Sequence, residues 1–329
     1  MCKISACLIL CDDGKHIEKC LKSVLYLDEI IIVIDKKSKD KTEKIVREYA
    51  KENKHIRIFK RTWGGFSNQR NFSMSKATGD HILIIDGDEE LESKYPLHDY
   101  IKKYKADIYK VKIENKKDNV IRYCDNLRMW EKGFKYDGLM HENINQSILK
   151  ESTKRKIKIV NLKTVILKHY GYDLKPKEMD KKLDRNFKHH LDQKTKEPNN
   201  PIINYHLGML YKNKGEINKA LDYMFLALET DTLGKDHRAM LYNKIAVIYY
   251  ELGEVDKALK YLDKSFNEIP NQCQGRYLLV DILKGTDIKK ALRIAKEIKE
   301  ITKERKSDLQ NDSYLELSEI DSICQQLKT

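Results

Sequence analysis

Apolar and polar positions along the first hundred residues switch repeatedly between strand and helix spacing. Ile4–Leu10 reads as a buried strand, and His16–Leu25 sets Ile17, Cys20, Leu21, Val24 and Leu25 on one helical face. Glu29–Ile34 predicts a second strand, Lys41–Ala50 a second helix and Ile56–Phe59 a short strand. Asn68–Ala77 then predicts a third helix and His81–Ile85 a fourth strand. This β-α-β-α-β-α-β order predicts an α/β domain, a mainly parallel sheet covered by helices. Ligands bind such sheets at the carboxyl ends of the strands. Asp35 and Asp86 each follow directly on an apolar strand, at that rim.

From about residue 200 the spacing becomes that of paired helices, and it repeats. Tyr205, Leu207, Gly208, Tyr211, Gly215, Ala220, Met224 and Ala227 are answered by Tyr242, Ile245, Ala246, Tyr249, Gly253, Ala258, Leu262 and Ser265. Ala220 and Ala258 stand 38 residues apart. That is one unit of about 34 residues plus a small insertion around Thr232–His237. A weaker third copy has Tyr277, Gly285 and Ala291-Leu292. The pattern resembles tetratricopeptide repeats, whose small residues let paired helices approach while large ones fill the groove between them. Pro176–Pro198 reads as a basic helix joining the two halves. The expected division is residues 1–195 for the α/β domain, with the joining helix at about 176–195, and residues 196–329 for an all-α repeat domain.

Composition narrows the function classes. A chain of 329 residues suffices for two domains, each with a core of its own. Lys and Arg number 64 against 51 Asp and Glu, a net charge of +13 that favours anionic partners. The excess is local: residues 150–196 hold 15 Lys and Arg against 6 Asp and Glu. That stretch lacks an aromatic-interleaved basic motif, so a solvated basic face is expected and nucleic-acid binding is not. No run approaches the roughly 18–20 apolar residues that span a bilayer. Ala6–Cys11 is short, with Asp12-Asp13 behind it, and does not read as a secretion signal. Seven cysteines without a CxxC pair read as structural thiols in a cytoplasmic, reduced chain.

The sharpest local feature is Asp86-Gly87-Asp88 after Ile82-Leu83-Ile84-Ile85. Two carboxylates at a strand end, with glycine between them for a sharp turn and close ligand approach, suit Mn²⁺ or Mg²⁺ carrying a diphosphate. Alone, this pattern reads as a solvated turn. Its setting reverses that reading. Glu29–Asp35 runs into Lys36-Lys37-Ser38-Lys39-Asp40-Lys41-Thr42, then come Phe66-Ser67-Asn68-Gln69-Arg70-Asn71 and Ala77-Thr78-Gly79-Asp80. In this order and spacing the series resembles the nucleotide-sugar half of the family 2 glycosyltransferases, whose fold is GT-A (Rossmann-like), over roughly residues 3–187. Leu127-Arg128-Met129-Trp130, residues 133–138, His141-Glu142, Lys168-His169-Tyr170-Gly171-Tyr172 and Arg185-Asn186 resemble the acceptor-side block of one branch. That branch includes lipopolysaccharide-core glucosyltransferases and sublancin-type peptide S-glycosyltransferases, in which a tetratricopeptide-like region also follows the transferase domain.

The resemblance implies an inverting, metal-dependent transfer of a hexose from a UDP-sugar. Position by position, Asp35 is expected at uracil or ribose, Arg70 near the base or diphosphate, and Asp86 and Asp88 at the metal and sugar nucleotide. Leu10 and Asp12 of the first loop join the donor contacts. His141 or Glu142 is the expected base toward the acceptor, with a surface pair as the rival reading. His169 reads as a third metal ligand or as a hydrogen-bonded histidine. Trp130 suits either a sugar platform or the core, His189-His190 a solvated helix face, and Trp63-Gly64-Gly65 a turn rather than a phosphate cradle. The chain departs from the family pattern at Cys11-Asp12-Asp13, at Lys36-Lys37 and at Gly87. The repeats are expected to select the acceptor, a peptide side chain ahead of a cell-envelope saccharide, or to form a homodimer. The rival from another class is an inactive transferase-like scaffold that binds partners through its repeats.

Overall fold

Alternate residues of the first strands go to different apolar clusters, which is why the strands read as continuous apolar runs. Ala6, Leu8 and Leu10 of β1 (Ile4–Leu10) and Ile30, Ile32 and Ile34 of β2 (Glu29–Asp35) share one cluster with Cys20, Leu21 and Val46. Those three come from α1 (Ile17–Val24) and α2 (Thr42–Glu52). Cys7 and Ile31 join a second cluster with Met74 of α3 (Phe66–Lys76) and with Trp130. Both faces of the sheet are thus covered, as period-2 alternation between two helical layers requires. The structure is a computed structural model that describes residues 2–328 other than 118–119, 138–142, 172–183, 185, 186, 189, 231, 305, 306, 308, 310, 311, 313 and 316.

β1 pairs in parallel with β2 and with β4 (His81–Ile84), and β2 with β3 (Ile56–Arg61). Elements then follow that the apolar pattern did not forecast: β5 (Glu89–Ser93), α4 (Leu97–Tyr104), β6 (Ile108–Lys117), β7 (Val120–Glu131), α5 (Asn145–Ser152) and β8 (Ile159–His169). The sheet order is β3-β2-β1-β4-β7-β6-β8-β5. β7 runs antiparallel to β4 and β6, and β5 antiparallel to β8. At the amino-terminal edge the Glu29 carboxylate accepts from Ser5 Oγ at 2.6 Å, Thr78 N–H at 2.7 Å and Arg57 at 2.7 Å. One buried acceptor so ties three segments of chain together.

The chain forms two compact units, Met1–Asp173 and Leu174–Thr329. The boundary lies earlier than residue 195, and side chains before 195 pack on the helix that begins at Pro201. Phe187 meets Tyr211 edge to face at 5.0 Å, His190 stacks on His206 at 5.3 Å, and Lys194 donates to Asn204 at 2.6 Å. In the second unit, α6 (Pro201–Asn213) pairs with α7 (Ile217–Leu228), and α8 (Lys235–Glu251) with α9 (Val255–Glu268). α10 (Gln274–Leu283) pairs with α11 (Ile288–Glu304); β9 (Tyr314–Leu315) and α12 (Leu317–Gln326) follow. The repeat holds in geometry as well as in sequence. Gly215 and Gly253 close the two turns at φ +77° and +78°, left-handed backbone that favours glycine. Ala220 and Ala258 are both fully buried, and Tyr211 stacks on Tyr223 as Tyr249 does on Tyr261.

Candidate active site

The site is built where β4 ends and the chain turns into β5. Asp86 N–H donates to Glu89 Oε2 at 2.9 Å, Glu89 N–H returns to Asp86 O at 3.0 Å, and Cys20 Sγ donates to Asp86 O at 3.3 Å. Gly87 is needed here for packing. A Cβ at 87 would lie 2.6 Å from Leu10 Cδ2 and 2.8 Å from Asp13 Cγ. Its φ lies outside the left-handed region, so the sharp backbone expected of it is not what selects glycine.

Two arginines converge on Asp86. Arg70 of α3 donates to Oδ1 at 2.8 Å, and Arg128 of β7 reaches Oδ2 at 3.4 Å and Glu89 Oε1 at 2.6 Å. Burial opposes a charge on Asp86, but the Arg70 and Arg128 guanidiniums outweigh it and hold the carboxyl well below the usual carboxylate range. Glu89, fully buried beside it, is pushed up by burial and by the Asp86 charge, with Arg128 as its counterweight. Asp13, at the mouth of the first loop, is raised by burial to about 7, with the Asp88 and Asp86 charges adding to the shift. Asp86, Glu89, Arg70 and Arg128 thus form one cluster of two carboxylates and two guanidiniums, with further acid groups beside them.

Asp88 is held apart from that quartet. His169, the last residue of β8, brings Nε2 to 3.4 Å from Asp88 Oδ2, and its Nδ1 meets Asn115 Oδ1 at 2.8 Å. Since an amide oxygen can only accept, Nδ1 carries a proton and Nε2 faces Asp88. Burial alone lowers the His169 pKa, but the hydrogen bond and charge of Asp88 more than offset it and the net shift is upward. Gly171 completes the arrangement. A Cβ there would stand 2.5 Å from His169 Nε2 and closer still to Asp88 Oδ2, so both donor atoms face one small space that only glycine leaves open. Tyr170 anchors the segment. Its N–H donates to Asp88 O at 2.9 Å, its hydroxyl to Glu90 at 2.6 Å, and its ring stacks on His16 at 5.4 Å.

The loops after β1 and β2 are laced together. Asp12, a non-glycine residue at φ +60°, accepts Lys39 N–H at 2.7 Å and Asp40 N–H at 3.2 Å on one carboxylate oxygen. The Cys11-Asp12-Asp13 departure thus has a structural use, since a short acidic side chain tolerates left-handed backbone and caps the neighbouring loop. Asp35 ends β2, 6% exposed, and accepts Lys37 N–H at 3.1 Å. Leu10 is buried in the core against Gly87. Trp130 is fully buried in the second apolar cluster, which resolves its two readings in favour of the core. His190 is buried and stacked, not on a solvated face, while His189 lies outside the described residues. His141 and Glu142 also lie outside the described residues. None of the seven cysteines is in a disulfide.

Residues 5–160 match the glycosyl transferase family 2 description. The amino-terminal unit is a family 2 glycosyltransferase domain. Residues 142–280 match the SusR N-terminal TPR domain, a match that begins inside the first unit and runs through the first two helix pairs into α10. Among relatives, a TPR repeat-containing protein of Synechococcus elongatus is 29% identical over 178 residues, 52% of this chain and 43% of that protein. The lipopolysaccharide core biosynthesis glycosyltransferase LpsC of Rhizobium meliloti is 30% identical over 89 residues, 27% of this chain and 33% of that protein. The chain spans less than half the length of these relatives. Staphylococcus aureus TarS 1-349, solved in complex with UDP-GlcNAc, overlaps 81% of this chain and 92% of its own at TM-score 0.42 and 13% identity.

Within the family 2 domain the structure adds residues to those singled out from sequence. Arg128 and Glu89 complete the Asp86 cluster, and Asn115 orients His169. Arg128 lies in Leu127-Arg128-Met129-Trp130, and its place two residues before buried Trp130 on one strand is the sequence signal for it. Among the described residues no three His, Cys, Asp or Glu side chains converge as a metal site. Asp86 is committed to its arginines, which leaves Asp88 and His169 as a pair. A pair fits a divalent cation of the Mg²⁺ or Mn²⁺ kind, which commonly takes one or two protein ligands and fills the rest from substrate phosphates and water.

Proposed function

We propose that the chain is an inverting glycosyltransferase that moves a hexose from a UDP-sugar to an acceptor. One observation carries the reading. At the carboxyl rim of the parallel strands, Asp35 ends β2 and Asp86 and Asp88 follow β4, while Arg70 of α3 and Arg128 of β7 meet Asp86 and His169 of β8 meets Asp88. In this reading Asp35 accepts from uracil N–H or a ribose hydroxyl. Arg70 and Arg128 hold Asp86 ionised and fix the floor on which the donor lies. Asp88 and His169 would hold Mn²⁺ or Mg²⁺, which when bound supplies positive charge for the departing diphosphate. The acceptor attacks the anomeric carbon as UDP leaves from the opposite face, which inverts the configuration. Its proton passes to His141 or Glu142, the base that the family resemblance implies.

The helical unit selects the acceptor. A peptide or protein side chain is the first reading, because paired-helix arrays present extended grooves. A cell-envelope saccharide is the second, favoured by the similarity to LpsC, a lipopolysaccharide core enzyme by name. The test is to incubate the full chain with a panel of nucleotide sugars, with Mn²⁺ or with chelator, and to measure nucleotide release. Metal-stimulated release from one or more UDP-hexoses is the expected result. Release from none, or equal release in chelator, overturns the donor reading or its metal dependence respectively.

A further inference from the structure

A nucleotide site needs a surface for the face of the base as well as a partner for its edge. Stacking on a ring is the usual source of that contact, because every base has a π-face. Three loops leave the strand ends next to Asp35. The first, residues 11–16, offers no open ring, since His16 is stacked on Tyr170 and Asp12 is bonded to the second loop. The second, Lys36–Lys41, contains no ring at all. The third, residues 62–65, carries Trp63.

Trp63 is placed and held as a platform. β2 and β3 remain paired to their ends: Asp35 faces Arg61, and Lys36 N–H donates to Arg61 O at 2.9 Å. Trp63 follows Arg61 by two residues, roughly 7 Å further on at about 3.4 Å per residue, on a strand about 4.8 Å from that of Asp35. The loop is fixed from beneath by Gln69, a buried residue of α3 whose Nε2 donates to Thr62 O at 2.9 Å and whose N–H donates to Gly65 O at 3.0 Å. Phe66 meets the indole edge to face at 4.7 Å. Gly64 and Gly65 place no side chain next to it, and the ring itself stays half-buried.

We infer that Trp63 is the face on which the donor's nucleobase stacks, with Asp35 at the edge of the same base. This rests on the uridine-nucleotide reading above and adds a residue that reading does not use. The division of roles has a consequence for selectivity. A stacking face accepts any base, whereas a carboxylate at the edge favours uracil, which presents an N–H at position 3 where cytosine presents a lone pair.

The protein reports on itself, because it has two tryptophans and Trp130 is fully buried. UDP with Mg²⁺, titrated into the full chain, should change tryptophan emission and shield it from acrylamide, and Trp63→Phe should shift that signal. By calorimetry, Trp63→Leu, which keeps an apolar anchor but no flat ring, should weaken UDP and CDP alike by about tenfold, while Trp63→Phe keeps most of the affinity. Asp35→Asn should instead narrow the gap between UDP and CDP. If the wild-type chain binds UDP but its emission does not change and Trp63→Leu binds as tightly, the stacking role is wrong and the donor reading stands. If the wild-type chain binds no uridine nucleotide, the donor reading fails and takes this inference with it.

Discussion

At the scale of single residues, Asp86 is paired with two arginines whereas Asp88 is paired with His169. That difference in partners makes the two aspartates of Asp86-Gly87-Asp88 unequal. Asp88→Asn should keep the fold, since the side chain is partly exposed and packs no core, yet lose metal-stimulated turnover by roughly tenfold or more. Gly171→Ala should do the same by pushing a methyl between the two donor atoms. Turnover of each variant with Mn²⁺ and with chelator, beside a circular dichroism spectrum, checks both; full metal-stimulated activity in either removes the pair from the mechanism. Asp35→Ala should weaken UDP binding by about 1–3 kcal/mol, the cost of a charged hydrogen bond, read by calorimetry. Asp35, Asp86 and Asp88 are placed by local pattern at strand ends, whereas Arg70 is singled out only by the family resemblance. Local pattern does not place Arg128, Glu89 and Asn115. Arg128 reaches Asp86 through the antiparallel pairing of β7 with β4, and Asn115 meets His169 through the parallel pairing of β6 with β8, long-range registers that no local spacing reveals.

At the scale of elements, the alternation of strand and helix through residue 84 is legible to within a few residues, because β1, β2 and β4 are buried on both faces and stand out as apolar runs. The strands from 89 to 169 escaped notice. β8 shows why: its residues are a mixture of exposed, half-buried and buried positions with no clean period. What holds the parallel part in register at its lower edge is Glu29. Burial pushes its pKa up, but the donors Ser5, Thr78 and Arg57 prevail, and the folded-state value lies below the usual one. A depressed carboxylate contributes stability that is present above the unfolded pKa, near 4.3 for Glu, and is lost as pH falls through the folded value. Glu29→Gln should therefore lower the melting temperature at neutral pH and flatten its decline below about pH 4.5. Equal melting curves across that range in both proteins would show that the network is not what couples stability to acid.

At the scale of the whole molecule, the expectation of an α/β unit followed by helical repeats agrees with the two units found, and with a family 2 domain followed by a TPR-type match. Among the described residues no helix is long and apolar enough to cross a membrane. If the helical unit selects the acceptor, a chain ended at Asp173, shown to be folded by circular dichroism, should still release sugar slowly from a UDP-hexose while transfer to the true acceptor falls much further. Equal transfer by the shortened chain would remove the repeats from acceptor choice. The two turns at Gly215 and Gly253 carry a last consequence, which concerns where this chain tolerates changes of length. Each residue added to a helix rotates everything beyond it by about 100°. An extra residue in either of these short left-handed turns would either lengthen the tight link or, if taken into the following helix, turn its buried alanine off the core, whereas the extra length that makes the repeat 38 rather than about 34 residues lies between pairs, around Thr232. One alanine inserted after Gly215 should lower the melting temperature sharply, and one inserted after Thr232 only slightly. Equal penalties at both places would mean that the helix pairs are not the units in which this array was lengthened.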